Sequence, residues 1–533
     1  MRRLILLAVG AALVVGIGPS ASGADENPYC QRDLAANSSV LNVEYLCRIP
    51  TTRHSWDANG NLITDPASPT GYRETQTQAI SLNFIDYGNP RADQPEGAAT
   101  KDVLFVSGRF GLKAFDITRP TAPRLLDWLG DGVDDPILPN GSPQPNRLGL
   151  LDDMWENEDM DVDPDRKLVF LSRDPRAYGG NTSTGESGIY VIDVRHPDRM
   201  EVIAYVSVPA GHTTTCVNDC KWLWTGGPAR AATQPSSWGG RPIWVTDLRD
   251  PYHPKVHPDP IDTGRNDGVT DYAHDVQVDS AGVAWVSGRG GIRGYWTKGL
   301  HFDPVLGEKR VATAFDPIPY AGGGIAESAA PSRFFHNSWH PAGDLIYGTE
   351  EDFRSGCAAD GAFVIASLAG SYGGQGWRST PSSPFRLQTV GTWKPAGQPG
   401  SSTSSDCSAH YFQMQDGIVA YSFYSQGVRF LDVSEPTSIK QVGYFRPANG
   451  TSWAPYFHKG LVYTADRNGV YVLRPTVEAG QLQQAVAEPR ALSARADDAV
   501  PEADPEVERL AALARPDGFL CSLPLDESDT GSG

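Results

Sequence analysis

The chain has 533 residues and carries 45 Lys and Arg against 64 Asp and Glu, a net charge of −19. That balance repels phosphate backbones and anionic membrane surfaces, so it excludes a nucleic-acid binder or a polybasic membrane-surface protein. Hydrophobic residues at 40% suffice for a large core, and 56 Gly, 42 Pro and 13 Trp against 5 Met suit short strands and turns better than long helices.

Residues 1–24 read as a secretory signal peptide. Arg2 and Arg3 precede an apolar run from Leu4 to Ile17, and Ser20 to Ala24 are small. The run is short for a bilayer and no second one follows, so the mature chain is expected to be secreted and extracellular, without a membrane span. Residues 25–79 form an N-terminal segment in which Ser39 to Cys47 alternates like a strand. Residues 80–476 repeat one unit, easiest to see in a Gly-led or Pro-led apolar strand that often closes in Asp. It recurs at Gly111 to Ile117, Gly188 to Val194, Pro242 to Leu248, Gly291 to Trp296, Gly361 to Ser367, Gly427 to Val433 and Gly469 to Leu473. Pro-containing turns and further strands follow several copies, as at Met200 to Tyr205 and Ile439 to Tyr444. Seven copies with four strands each describe an all-β fold, a seven-bladed β-propeller of four-stranded antiparallel blades. The seventh copy runs out after Leu473, and Ser39 to Cys47 is expected to complete it and close the ring. Residues 477–533 are acidic and rich in Ala and Pro, and read as a flexible, largely disordered tail.

The stretches FLDVSEPTSIKQVG, from Phe430 to Gly443, and IDVRHPD, from Ile192 to Asp198, resemble the LVIVD repeat. Residues 291–296 lack the closing Asp, and residues 361–368 end in Ala-Ser-Leu. The resemblance covers the propeller region and implies a secreted or surface-exposed β-propeller. It supplies no general catalytic motif, so function has to come from the site.

Set in register, four consecutive blades open their first strand with histidine. His274 lies 62 residues after His212, His336 lies 62 residues after His274, and His410 follows with a turn one residue shorter. Blade two places Glu158 at that phase and blade seven places Trp453 there. The first strand of a blade lines the central channel, so residues of one phase share one height. Four imidazoles with Glu158 beside them are expected to converge at one mouth. Imidazole is the commonest protein ligand for such ions, so His212, His274, His336, His410 and Glu158 are candidate ligands for one transition metal, Cu, Fe or Zn. Carotenoid-cleaving oxygenases, and the selenium-binding proteins related to methanethiol oxidase, are similar in this His-ring layout alone. The competing reading is that duplicated blades inherit one residue, each His bonding to a neighbouring blade and filling the channel. Ligating imidazoles usually donate their other N–H, and Asp275, Glu350, Glu351 and Asp406 are the candidate acceptors. His340 is expected to extend the ring downward, and His458 to lie at the surface.

Asp159 to Asp165 lacks the Gly and terminal Glu of an EF-hand and reads as a turn-rich strand. No Gly-x-Ser-x-Gly elbow or phosphate-binding loop occurs. Of seven cysteines, Cys216 and Cys220 suit a bridge across a tight hairpin, with a zinc site as the rival reading. Cys30 with Cys47 and Cys357 with Cys407 are further candidate pairs, which leaves Cys521. Two functions stand at this point, with no catalytic residue assigned. The leading one is an extracellular or cell-surface scaffold that binds a protein, glycan or small-molecule ligand. The alternative is a metal-dependent oxidase or oxygenase with the His ring on the propeller axis.

Overall fold

The computed structural model describes residues 27–55, 57, 61–68, 71–88, 102–108, 110–130, 158, 160–173, 187–227, 242–261, 273–288, 291–303, 306–320, 324–326, 334–341, 343–351, 361–368, 386–401, 408–477 and 490–491. The expected acidic tail and the Cys357, Cys407 and Cys521 thiols lie outside them. Every element among the described residues is a strand, and no helix is long and apolar enough to cross a membrane.

The strands form seven blades, each an antiparallel sheet ordered from the channel outward. The innermost strands are Ala79–Asp86, Asp161–Asp163, Thr213–Val217, Ala273–Val278, Phe335–Trp339, Phe412–Gln415 and Ser452–His458. Blade seven takes its outer strand from the N-terminal segment. Val43–Ile49 pairs antiparallel with Gly469–Pro475, with Ile49 opposite Val470 and Val43 opposite Pro475. The preceding Ser39–Leu41 adds to the outer edge of blade six, beside Lys440–Arg446. Blades four and five are joined by Gly324–Ala326, which runs antiparallel to Gly291–Trp296 and parallel to Arg386–Trp393. Apolar side chains of adjacent blades interlock between the sheets. Phe105, Leu112 and Val103 of blade one, for example, pack with Val169, Tyr190 and Ile192 of blade two.

The repeated signature has two local causes. Its leading glycine stands where the outer strand's backbone crosses. A Cβ at Gly111 would lie 2.4 Å from the Leu129 carbonyl oxygen, and one at Gly427 would lie 2.2 Å from that of Phe445. Both glycines also hold positive φ, +88° and +71°. Its closing Asp caps the turn that follows, accepting the backbone N–H two residues on. Asp116 accepts from Thr118, Asp193 from Arg195, Asp247 from Arg249 and Asp432 from Ser434.

A Cys216–Cys220 disulfide closes the first turn of blade three, where Asn218, Asp219 and Cys220 are all left-handed. Cys30 and Cys47 are free thiols, buried in one core cluster.

His340 does not extend the ring. Its strand ends at Trp339, and the imidazole lies between blades four and five, with Nδ1 2.7 Å from Asp279 Oδ2 and Nε2 3.0 Å from the Gly343 carbonyl. The same Asp279 oxygen accepts Trp285 Nε1–H at 2.9 Å. Burial alone would lower the His340 pKa, but Asp279 and Gly343 raise it above its ordinary value. Burial likewise opposes the Asp279 charge, yet His340, Trp285 and the Val283 N–H hold that carboxyl below its usual range. A raised histidine stabilises fully below its unfolded pKa and loses this as pH rises through its folded one; a depressed carboxylate behaves oppositely. The pair is therefore whole between about pH 4 and 6.5. His340→Gln is expected to cost about 2 kcal/mol in urea unfolding at pH 6, with a clearly smaller gap from wild type at pH 9. An equal gap at both values would show that the pair is not ionic.

Candidate functional site

Four of the seven inner strands begin with a bulge. In blades one, four, five and seven the register slips between Ala79 and Ser81, Ala273 and Asp275, Phe335 and Asn337, and Ser452 and Ala454. The residues in these bulges are Ile80, His274, His336 and Trp453. A bulge leaves one residue unpaired and re-aims its side chain. In blades two, three and six the corresponding Glu158, His212 and His410 stand just ahead of strands that start at Asp161, Thr213 and Phe412. The seven blades thus contribute, in order, Ile80, Glu158, His212, His274, His336, His410 and Trp453 to one layer.

The structure brings all five candidate ligands together. Glu158 Oε2 lies 3.2 Å from His212 Nε2, 3.5 Å from His274 Nε2 and 3.1 Å from His336 Nε2. Its other oxygen lies 3.3 Å from His410 Nε2. His212 Nε2 and His274 Nε2 are 2.9 Å apart. The four imidazoles are at most 1% exposed and Glu158 is 3% exposed. The ligand atoms of Glu158, His336 and His410 lie within 4.8 Å of one another, as do those of Glu158, His212 and His274. An ion with bonds of about 2.0–2.1 Å holds its ligands about 3–4 Å apart, so modest closure brings either trio to that spacing.

The layer is braced by backbone carbonyls passed from blade to blade. His274 Nδ1 donates to the His336 carbonyl at 2.9 Å, and His410 Nδ1 donates to that of Trp453 at 2.6 Å. The Glu158 and Tyr411 N–H groups donate to the His212 and Trp453 carbonyls at 3.2 and 3.3 Å. Gly226 permits this close approach, because a Cβ there would lie 2.5 Å from the His274 carbonyl oxygen.

This bracing fixes protons. A carbonyl only accepts, so His274 and His410 carry their hydrogens on Nδ1. In the neutral ring Nε2 is then a bare lone pair. Burial, with His336 and His212 alongside, holds the His274 pKa well below the ordinary imidazole value. Burial, with His410 alongside, brings His336 down to about 3. Burial also opposes a charge on Glu158, but the His212, His410 and His336 imidazoles outweigh it and hold the carboxyl well below its usual range. Hydrogens on His336 Nε2 and His212 Nε2 can meet the Glu158 carboxylate and His274 Nε2, so the layer is a hydrogen-bonded set of nitrogen and oxygen donors converging on the axis.

Aromatic rings wall the layer. Phe334 stands edge-on to His274 at 5.0 Å, Tyr411 to His336 at 4.9 Å and Tyr424 to His410 at 5.0 Å. The carboxylates named from sequence serve elsewhere. Asp275 accepts from Asn337 Nδ2 at 2.8 Å, and burial pushes its carboxyl up to about 7. Glu351 accepts from the Tyr424 hydroxyl, and Glu350 takes the Ala362 N–H at 3.4 Å. Asp406 lies outside the described residues. His458 is not a free surface group: its Nε2 meets Asp102 at 2.8 Å across the seam between blades seven and one. Asp161 and Asp163 are structural, accepting from Cys216 N and from Arg166. Trp224 is core, donating Nε1–H to the Ala314 carbonyl at 2.8 Å.

No family model matches the chain, and no curated protein matches it. Among solved structures it is similar to the periplasmic gluconolactonase PpgL of Pseudomonas aeruginosa, at a TM-score of 0.41 and 16% identity over 74% of this chain and 92% of that one. It is also similar to the WD40 propeller domain of Doa1, at 0.41 and 8% identity over 80% and 96%. A third is the extracellular domain of a putative hybrid two component system, BT4673, from B. thetaiotaomicron, at 0.41 and 10% identity over 77% and 39%. Similarity this distant says nothing about activity.

Proposed function

We propose that this propeller is a transition-metal protein, with one Cu or Fe ion held by His212, His274, His336 and His410 together with Glu158, and that it acts as an oxidase or oxygenase. One observation carries the reading. The Nε2 lone pair of His274, whose only proton is committed to the His336 carbonyl, lies 2.9 Å from His212 Nε2 and 3.5 Å from a Glu158 oxygen. Four buried imidazoles and one carboxylate that converge on one axial point are the donor set of a transition-metal site. The donor set narrows the choice of ion. Imidazole nitrogens disfavour Mg and Ca, and five donors exceed the four of a structural zinc site.

An Fe or Cu ion would supply redox chemistry at the axis. The protein's own part is to orient and to exclude. The carbonyls of His336 and Trp453 fix the tautomers of His274 and His410, which turns each Nε2 lone pair toward the axis. Phe334, Tyr411 and Tyr424 keep bulk water from the ligand layer. We place the protein outside the cytoplasm, which the N-terminal basic and apolar residues and the Cys216–Cys220 bridge support.

A second reading, an LVIVD-type extracellular binding scaffold, is favoured by a different feature. The hairpin Gly299–Asp303 and Glu308–Ala312 exposes Leu300, Phe302 and Val311, with Leu306 at its turn. Apolar residues rarely stay exposed in such a group without a partner.

Metal analysis of the full-length protein, with electron paramagnetic resonance after copper loading, separates the two readings. The metal reading expects about one equivalent per chain and nitrogen hyperfine structure from several imidazoles. A chain that takes up no metal under any loading condition leaves the scaffold reading.

A further inference from the structure

The seven axial positions are unevenly filled. Blades two to six supply Glu158 and the four histidines, a continuous arc of donors. Blades seven and one supply Trp453 and Ile80, which are 3% and 4% exposed. The two blades adjoin across the seam, where Tyr456 and Ser81 hydroxyls meet at 3.1 Å. An ion on the axis is therefore ligated from one side and open toward Trp453 and Ile80.

Trp453 carries an anomaly on that open side. Its indole ring lies 5.8 Å from that of His410 and 5.2 Å from that of Tyr424. Its Nε1–H is fully buried and has no hydrogen-bond acceptor among the described residues. Trp128, Trp224 and Trp285 each donate Nε1–H to a protein oxygen; Trp244 shares the lack of an acceptor, but it lies in the core between blades two and three, away from the axial layer. A buried N–H without an acceptor is costly, and the cost is removed when a bound ligand supplies the acceptor.

We infer that the Trp453 indole N–H is the hydrogen-bond donor for an exogenous ligand on the open side of the metal. The site takes a small anion or an oxygen-bearing group of a substrate: the metal holds one atom, Trp453 Nε1–H meets a lone pair, and Ile80 and Tyr424 give it an apolar surround. The inference rests on the metal reading above. It adds a residue that is not a ligand and specifies what the open position accepts.

Azide is a suitable probe. Full-length protein labelled with 15N-tryptophan and loaded with Zn(II) is titrated with azide while the indole N–H signals are followed. The Trp453 signal is identified as the indole resonance most broadened when Cu(II) replaces Zn(II). That signal is expected to shift and saturate with azide in the metal-loaded protein and to stay still in the stripped protein. In parallel, Trp453→Phe is expected to weaken azide binding to the copper-loaded protein about tenfold to a hundredfold, read from the charge-transfer band, at unchanged copper content. An indole signal that does not move while azide saturates the metal overturns the inference, even if the variant does not fold. So does equal azide affinity in Trp453→Phe, or an equal shift without metal. Metal content measured on the same samples shows whether the metal reading itself has failed.

Discussion

His274→Ala is expected to remove most of the metal-dependent stabilisation. His274 is the central imidazole of the donor arc, its ring centroid 4.7 Å from that of His212 and 4.2 Å from that of His336. An ion present at a thousand times its dissociation constant stabilises the folded chain by about 4 kcal/mol, a rise on the order of 5–10 °C in melting temperature for a domain of this kind. Losing one of five ligands weakens binding by about a hundredfold or more and removes most of that rise. The metal-free forms give the control. Without metal the alanine loses hydrogen bonds to the His336 carbonyl and to His212 and gains a cavity, a cost of about a few kcal/mol spread over a large cooperative unit. The metal-free variant is therefore expected to melt within a few degrees of metal-free wild type. If the histidines were only channel filling, neither wild type nor the variant would show a metal-dependent rise.

Removing the ring-closing strand is expected to have the largest effect on folding. Val43–Ile49 supplies the whole outer edge of blade seven. Cys47 and Ile49 on it are completely buried, and Tyr45 stacks on Phe445 at 5.9 Å. Burial of these side chains contributes about 2 kcal/mol each, so the strand accounts for roughly 5 kcal/mol or more. That is comparable with the whole stability of an ordinary domain. A chain that begins at Thr51 is expected to lose cooperative unfolding by circular dichroism and calorimetry. A point version is Ile49→Asp, which buries a charge opposite Val470 and is expected to cost about 4 kcal/mol or more. Val40→Asp, on the strand that merely extends blade six, should cost distinctly less. Equal losses would mean that the seam is no weaker than any other edge.

Both expectations trace back to features that differ in how plainly a sequence displays them. The blades were legible because six of the seven third-strand copies begin with Gly, where an outer-strand carbonyl passes in several of them, and several end in Asp, where a turn needs an acceptor. These are local constraints, and local constraints leave residue-type signatures. The His phase was legible because blade length fixes height along the axis, so equal spacing became equal depth.

The bulges were not legible. A bulge at Ile80, His274, His336 or Trp453 depends on pairing with the next strand and favours no residue type. Ile80 was therefore missed as a member of the axial layer. His340 was misplaced for a related reason: an alternating strand puts residues four apart on one face, but here a bulge precedes it and the strand stops at Trp339. The N–H acceptors were misjudged because main-chain carbonyls of the neighbouring blade hold the imidazoles, and a sequence displays carboxylates but not the direction of a carbonyl. Trp453 was placed at the right phase, but its unmatched N–H emerges only once the packing around it is known.

Anomalous diffraction from crystals of the copper-loaded or iron-loaded full-length protein tests the account most directly. The account predicts one strong peak at the metal edge, on the propeller axis, about 2.0–2.2 Å from Nε2 of His212, His274, His336 and His410 and from one Glu158 oxygen. A loaded crystal whose axial layer holds no peak, or whose metal lies away from these nitrogens, would contradict it.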